Sequence, residues 1–140
     1  MLDVVVATLQ GDAALNALLT GGIYSQLVVN EISRQGTPAA FDAWAELKPC
    51  ALVAPESATP WGPHRDSGRV YFTVWLYQRH GAASIEAART RVYTLLHRQQ
   101  LSVTAGIYDV RHANDVLGIE AQALSALGIM SRYVATVQRA

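Results

Sequence analysis

The chain has 140 residues, no formal net charge at neutral pH, 51% apolar residues and 16% charged ones. That length suits one domain with a real hydrophobic core, and the lone Cys50 excludes a disulfide framework or a thiolate metal cage. No apolar run reaches membrane-span length and Asp3 interrupts the N-terminus at once, so the reading is a soluble protein of a reducing cytoplasm, with no membrane partner.

The charged fraction is below the usual quarter. A surface with few charges is comfortable where neighbouring subunits cover it, which favours an oligomer. The charge is also unevenly placed. Residues 1–67 carry three basic against seven acidic side chains, a net of −4, and residues 68–140 carry eight arginines against four acids, a net of +4. The two halves can balance inside one fold or meet across a head-to-tail subunit contact. Ten of the eleven basic residues are arginine, the cation suited to interfaces because its planar fork is weakly hydrated and bidentate.

In chain order, Leu2, Val5, Val6 and Leu9 recur at helical spacing and predict an amphipathic helix. Asp12 is placed to cap a second short helix over Ala13–Leu19, and Gly21-Gly22 ends it. Ile23-Tyr24-Ser25 can open a strand, while Gln26–Gln35 fits either an extended or a helical pattern. Thr37-Pro38 resembles a cap followed by proline at the first helical position, predicting a helix over Pro38–Leu47 with Phe41, Trp44 and Ala45 on one face.

Cys50–Ala54 reads as a buried strand. Residues 55–68 hold three prolines, two glycines and no periodicity, which predicts a long interaction loop or arm. Trp61 within it either tucks onto the core or docks on a partner.

The strongest alternation in the chain follows. Val70, Phe72, Val74 and Leu76 form a core face, and Arg69, Tyr71, Thr73, Trp75 and Tyr77 form a second face too aromatic for plain solvent exposure. Ser84 is the expected cap of the next helix, whose buried stripe is Ile85, Ala88, Val92, Leu95, Leu96 and Gln99, with Arg89, Arg91 and Arg98 outside. Gly106–His112 and Ile129–Gln138 read as strands, and Asn114–Gly128 has no clear period. The element order departs from strict βαβ repetition. It predicts a single α+β domain over 1–140: a mainly antiparallel sheet with two or three helices packed on one face.

The residues assemble no catalytic or metal-ligating motif. His64, His80, His97 and His112 have no ligand spacing, no glycine-rich loop opens a helix, and Cys50 lies in an apolar strand where a thiol is inert. Asp109, Asp115 and Glu120 read as turn and cap residues. The expectation is a non-enzymatic protein without cofactor or metal. The alternative is a small ligand-binding protein or enzyme whose pocket is lined by Tyr71, Trp75 and Tyr77.

Three segments together carry a family resemblance: the opening Asp12-Ala-Ala-Leu-Asn-Ala-Leu-Leu-Thr-Gly-Gly-Ile-Tyr24, the strand and helix from Val70 to Arg98, and a closing strand led by Ser131-Arg-Tyr133. Their order is similar to that of the tail-terminator and tail-completion (head–tail joining) proteins of long-tailed bacteriophages and phage-like particles. The sequence departs from that pattern between Gln26 and Pro55, which leaves terminator, stopper and adaptor roles open. The resemblance implies a structural virion protein, made in a host cytoplasm, that forms a hexameric ring. Such a ring caps the tail tube and docks on the head connector or stopper, and DNA passes through its lumen without being read. On that reading Trp61, Arg69, Tyr71, Trp75, Tyr77, Arg89 and Arg91 are the candidate subunit or partner interface.

Overall fold

Alternation over residues 67–78 builds the central strand of the molecule. The computed structural model describes residues 1–60 and 67–138. In chain order it contains α1 (Leu2–Gln10), α2 (Ala13–Leu18), β1 (Ile23–Ser25), α3 (Gln26–Val29), β2 (Cys50–Pro60), β3 (Ser67–Gln78), α4 (Ala83–Leu96), β4 (Ile107–Ala121) and β5 (Ala126–Gln138), with single 3-10 turns at Pro38–Ala40 and Gln122–Leu124. The five strands form one sheet in the order β1-β2-β3-β5-β4. Among the described residues only β1 and β2 run parallel; every other strand pairing is antiparallel. The fold is α+β.

Successive strand residues point to opposite faces, and both faces of this sheet bury apolar groups. On one, Val53, Phe72, Val74, Leu76, Val110, Ile129 and Ala135 meet Val5 and Leu9 of α1, Leu15 of α2, and Ile85, Ala88, Val92 and Leu96 of α4. This is the main core, and Phe72 stacks on Tyr133 within it at 5.7 Å between centroids. On the other, Leu52, Cys50, Trp75 and Tyr77 are covered by Ile32, Ala40, Phe41 and Leu47 of the irregular segment between α3 and β2. A fully buried Leu or Phe stabilises by roughly 1.5–3 kcal/mol, so most of the hydrophobic stabilisation lies under the helices.

Local chemistry sets the joints. Asp12 caps α2, its Oδ2 accepting from the Leu15 amide at 2.9 Å. Gly21 is required by close approach: a Cβ there would stand 2.9 Å from the Pro49 carbonyl oxygen, which already accepts the Gly21 amide. Ser84 does not cap α4. The side-chain oxygen of Gln78, at the end of β3, accepts from the Ser84 and Ile85 amides at 3.0 and 3.2 Å, so a strand residue satisfies the helix's free N–H groups.

Three further expectations differ from the structure. The helix over Pro38–Leu47 is only the 3-10 turn Pro38–Ala40. Asp42 stops it: its Oδ1 accepts the Trp44 and Glu46 amides, a local alternative to helix hydrogen bonding, while Phe41 and Leu47 pair as an antiparallel bridge. Of the expected loop over 55–68, residues 55–60 and 67–68 are strand, with β2 running to Pro60 and β3 starting at Ser67; Trp61 lies outside the described residues. Beyond Val53 no β1 residue pairs with β2, so β2 is there an edge strand, where prolines are tolerated. Finally, Asn114–Gly128 is mostly strand. β4 carries three register shifts against β5, each of which resets the alternation and hides it from a period-2 reading.

Candidate interaction surface

The outer face of β3 divides in two. Towards its C-terminal end Trp75 and Tyr77 stack with 6.5 Å between centroids and lie against the second core. Trp75 Nε1 donates to Thr73 Oγ1 at 2.9 Å, and Thr73 Oγ1 donates to the Ala54 carbonyl at 3.4 Å. Burial raises the Tyr77 phenol pKa, and it pushes the Cys50 thiol beneath up to about 12, which leaves the thiol protonated and inert.

Towards its N-terminal end, at Arg69 and Tyr71, the face is half-buried. The Arg132 guanidinium lies 4.5 Å from the Tyr71 ring centroid and makes a two-pronged pair with Glu56, both contacts at 2.9 Å. Such a fork stacked on an aromatic is held in place, as a lone surface charge is not. Arg69 stands opposite Thr59 and Thr136 in the flanking strands. Between the halves lies an open depression of about 500 Å³, lined by Thr73, Trp75, Met130, Arg132, Asn114, Glu56 and neighbours. Tyr71 and Tyr77 do not line it, so the three aromatics do not converge on one pocket.

Arg89 and Arg91 belong to the helix layer on the opposite side of the sheet. Arg91 grips Asp12 through Nε and Nη2 at 2.8 and 2.7 Å, holding the Asp12 carboxyl down to about 2. Arg89 spans Glu86 at 2.8 Å and Asp115 at 2.7 Å. The six described candidates therefore form no single patch. The acidic front half and basic rear half do pair within the chain, through Asp12–Arg91, Glu46–Arg79 and Glu56–Arg132.

Arg89 also joins a polar cluster that sequence spacing does not reveal. Asp115 accepts from Arg89 and contacts His112 Nε2 at 2.8 Å, beside a pocket of about 260 Å³ that Tyr93, Thr90 and Tyr133 help to line. Burial pushes the Asp115 pKa up, but the hydrogen bonds with His112 and Arg89 outweigh it and hold the carboxyl below its usual value. The charges in the cluster satisfy one another. Tyr133 Oη and Arg89 Nε are sealed in without a partner among the described residues. Also among the described residues, no three His, Cys, Asp or Glu side chains could share a metal ion, and no helix is long and apolar enough to cross a membrane.

The residues sequence reasoning missed are apolar and exposed. Trp44, expected on one helix face with Phe41 and Ala45, is 82% exposed; Leu27 and Val28 of α3 are 70% and 82% exposed. The signal for Trp44 was Asp42 two positions earlier, the residue type that ties its side chain to the amide two residues on.

Neither a protein-family model nor a curated protein matches the sequence. Among solved structures, the fold is similar to a chain of the virion of a native gene transfer agent (GTA) particle. The likeness covers 99% of this chain and 94% of that one, with a TM-score of 0.75 and 16% sequence identity.

Proposed function

We propose that the protein is a structural component of a phage-like virion, a tail terminator that assembles as a hexameric ring. The ring caps the tail tube, joins it to the head connector or stopper, and lets DNA pass without sequence-specific contact. The observation that carries this reading is the likeness to a gene transfer agent virion chain along nearly the whole length of both chains. It is supported by a surface with few charges and by large apolar side chains left in water at Trp44, Leu27 and Val28. The N-terminal half of the β3 face, with Arg69 and Tyr71 beside Arg132, is the surface assigned to a partner. Trp75 and Tyr77 continue the same face towards the C-terminal end of β3, Arg89 and Arg91 brace the helix layer, and Trp61 is assigned to the same partner. The role is non-enzymatic.

Sedimentation and negative-stain electron microscopy of the purified protein test this reading, alone and with polymerising tail tube protein. The expected results are six-fold rings and tubes closed at one end. A chain that stays monomeric at high concentration and leaves tube ends unoccupied would sink it.

A further inference from the structure

β4 ends the sheet, and among the described residues it pairs with β5 alone. Its other side is an edge, which presents N–H and C=O groups that native proteins cover or blunt. The cover here is His97-Arg98, the two residues by which the chain leaves α4. The Arg98 amide donates to the Val110 carbonyl at 2.6 Å, and the His112 amide donates to His97 Nδ1 at 3.0 Å. A backbone N–H and a ring nitrogen thus satisfy one carbonyl and one amide of the edge, as a neighbouring strand would. Further along, the Ile107 amide donates to the Ser102 carbonyl at 2.8 Å, so the link between α4 and β4 is fastened to the edge at a second place.

Two observations make His97-Arg98 the releasable part of that cover. Arg98 has φ +60°, a left-handed conformation unfavourable for a residue with a Cβ, so the cover is held against a backbone preference. The bond at His97 needs a lone pair on Nδ1, which an imidazole has only while neutral. Protonation turns that acceptor into a donor facing a donor. The surroundings do not welcome the cation. Arg98 follows it in the chain, Arg111 and His112 act on it from β4, and the carboxylate that would favour it, Asp109, is engaged by Arg111 at 2.8 Å. Tyr93 of α4 stacks on its ring with 4.5 Å between centroids and meets His112 edge-on at 5.5 Å. Burial and the neighbouring positive charges keep the imidazole pKa below its ordinary 6.5.

We propose that His97 is an acid-operated latch on the edge of β4: neutral, it holds His97-Arg98 closed over Val110 and His112, and protonated it releases that stretch while the sheet stays folded. The opening is local. His97 is half-buried and Arg98 is exposed, whereas Val110 packs in the main core and the ladder to β5 runs along the other side of β4. Protonation acts on the outer pair of hydrogen bonds alone, and Arg98 can then return to an ordinary backbone conformation. Openings of this size lie below global unfolding in free energy. The device is independent of any ring, since every group in it belongs to one chain.

Amide hydrogen exchange of the whole protein, read by NMR at pH 7.5 and 5 as protection relative to an unstructured amide, tests the latch. The His112 amide is expected to lose about tenfold in protection over that range, with the Arg98 amide following it, because the released ring takes up its proton at the ordinary value. The Val74 amide of the central strand is expected to stay far better protected at both pH values. His97→Asn puts an amide oxygen close to where Nδ1 stands and cannot titrate, so it is expected to abolish the pH dependence at His112. His97→Phe keeps a ring against Tyr93 without an acceptor and is expected to leave His112 poorly protected at both pH values. Wild-type protection at His112 that ignores pH, or that equals Val74, overturns the proposal. So does a pH response that survives in His97→Asn, which assigns the switch to His112, and so does His97→Phe protection equal to wild type at pH 7.5.

Discussion

Asp12 and Arg91, 79 residues apart, are held by two parallel hydrogen bonds of 2.7 and 2.8 Å, so the residue that caps α2 also fastens α2 to the middle of α4. The pair gives the stability of the helix layer a defined acid dependence. The native carboxyl titrates at about 2 against an ordinary value of 3.8, so the contribution is complete above 3.8 and disappears as pH falls through 2. Melting temperatures of wild type and Arg91→Met are expected to differ by a constant amount from pH 5 to 8 and to converge near pH 2. Arg91→Glu, which sets two carboxylates against each other, is expected to melt below Arg91→Met at neutral pH.

His97 gives the opposite end of α4 a second pH response. Its Nδ1 accepts the backbone amide of His112 on β4 at 3.0 Å, which requires the neutral ring. Burial, then the positive charges of Arg98, Arg111 and His112, lower its pKa below the ordinary 6.5. The unfolded chain therefore takes up the proton first, and stability falls as pH drops below 6.5. Thermal melts from pH 7.5 to 5 are expected to show a decline that is reduced in His97→Phe.

Tyr133 offers a gain in stability. Its hydroxyl is buried with no partner among the described residues, while its ring stacks on Phe72. Removing an unsatisfied buried hydroxyl spares a desolvation cost of about 1–3 kcal/mol. Tyr133→Phe is expected to raise the urea midpoint with an unchanged slope, whereas Phe72→Ala, which empties the core, is expected to cost about 3–5 kcal/mol.

Gln78 is the working cap of α4, and its oxygen is the part that matters. Gln78→Ala is expected to cost about 1 kcal/mol, the usual worth of a lost N-terminal cap. Gln78→Glu keeps the acceptor beside the positive end of the helix and is expected to lose little. Denaturant titration of the two variants separates them. A Ser84→Ala substitution is expected to be nearly silent.

Much of this fold was legible because short-range patterns agreed with long-range packing. Val70, Phe72, Val74 and Leu76 face the core as their alternation required, and Ile85, Ala88, Val92 and Leu96 do so as their helical spacing required. What stayed illegible depends on contacts between distant segments or on backbone irregularity. The Gln78 cap comes from the preceding strand, the bulges of β4 scramble its alternation, and Asp42 captures amides that a helix would have used. The candidate surface was legible only in part. The aromatic face of β3 was evident, but the cover over its C-terminal half comes from the segment folded over Trp75 and Tyr77, whose course no periodicity marks.

The strand order also fixes a sequence of events in folding. β5 lies between β3 and β4, and β4 pairs with β5 alone, so β4 has no place in the sheet until residues 126–138 are present. As the chain leaves the ribosome, β2 and β3 can close as a local hairpin at once, while the far edge of β3 stays bare until β5 emerges. The β4–β5 hairpin then docks as a unit, a late and long-range step. Until β5 pairs with it, that edge of β3 presents unpaired N–H and C=O groups, the kind of edge with which another chain can pair.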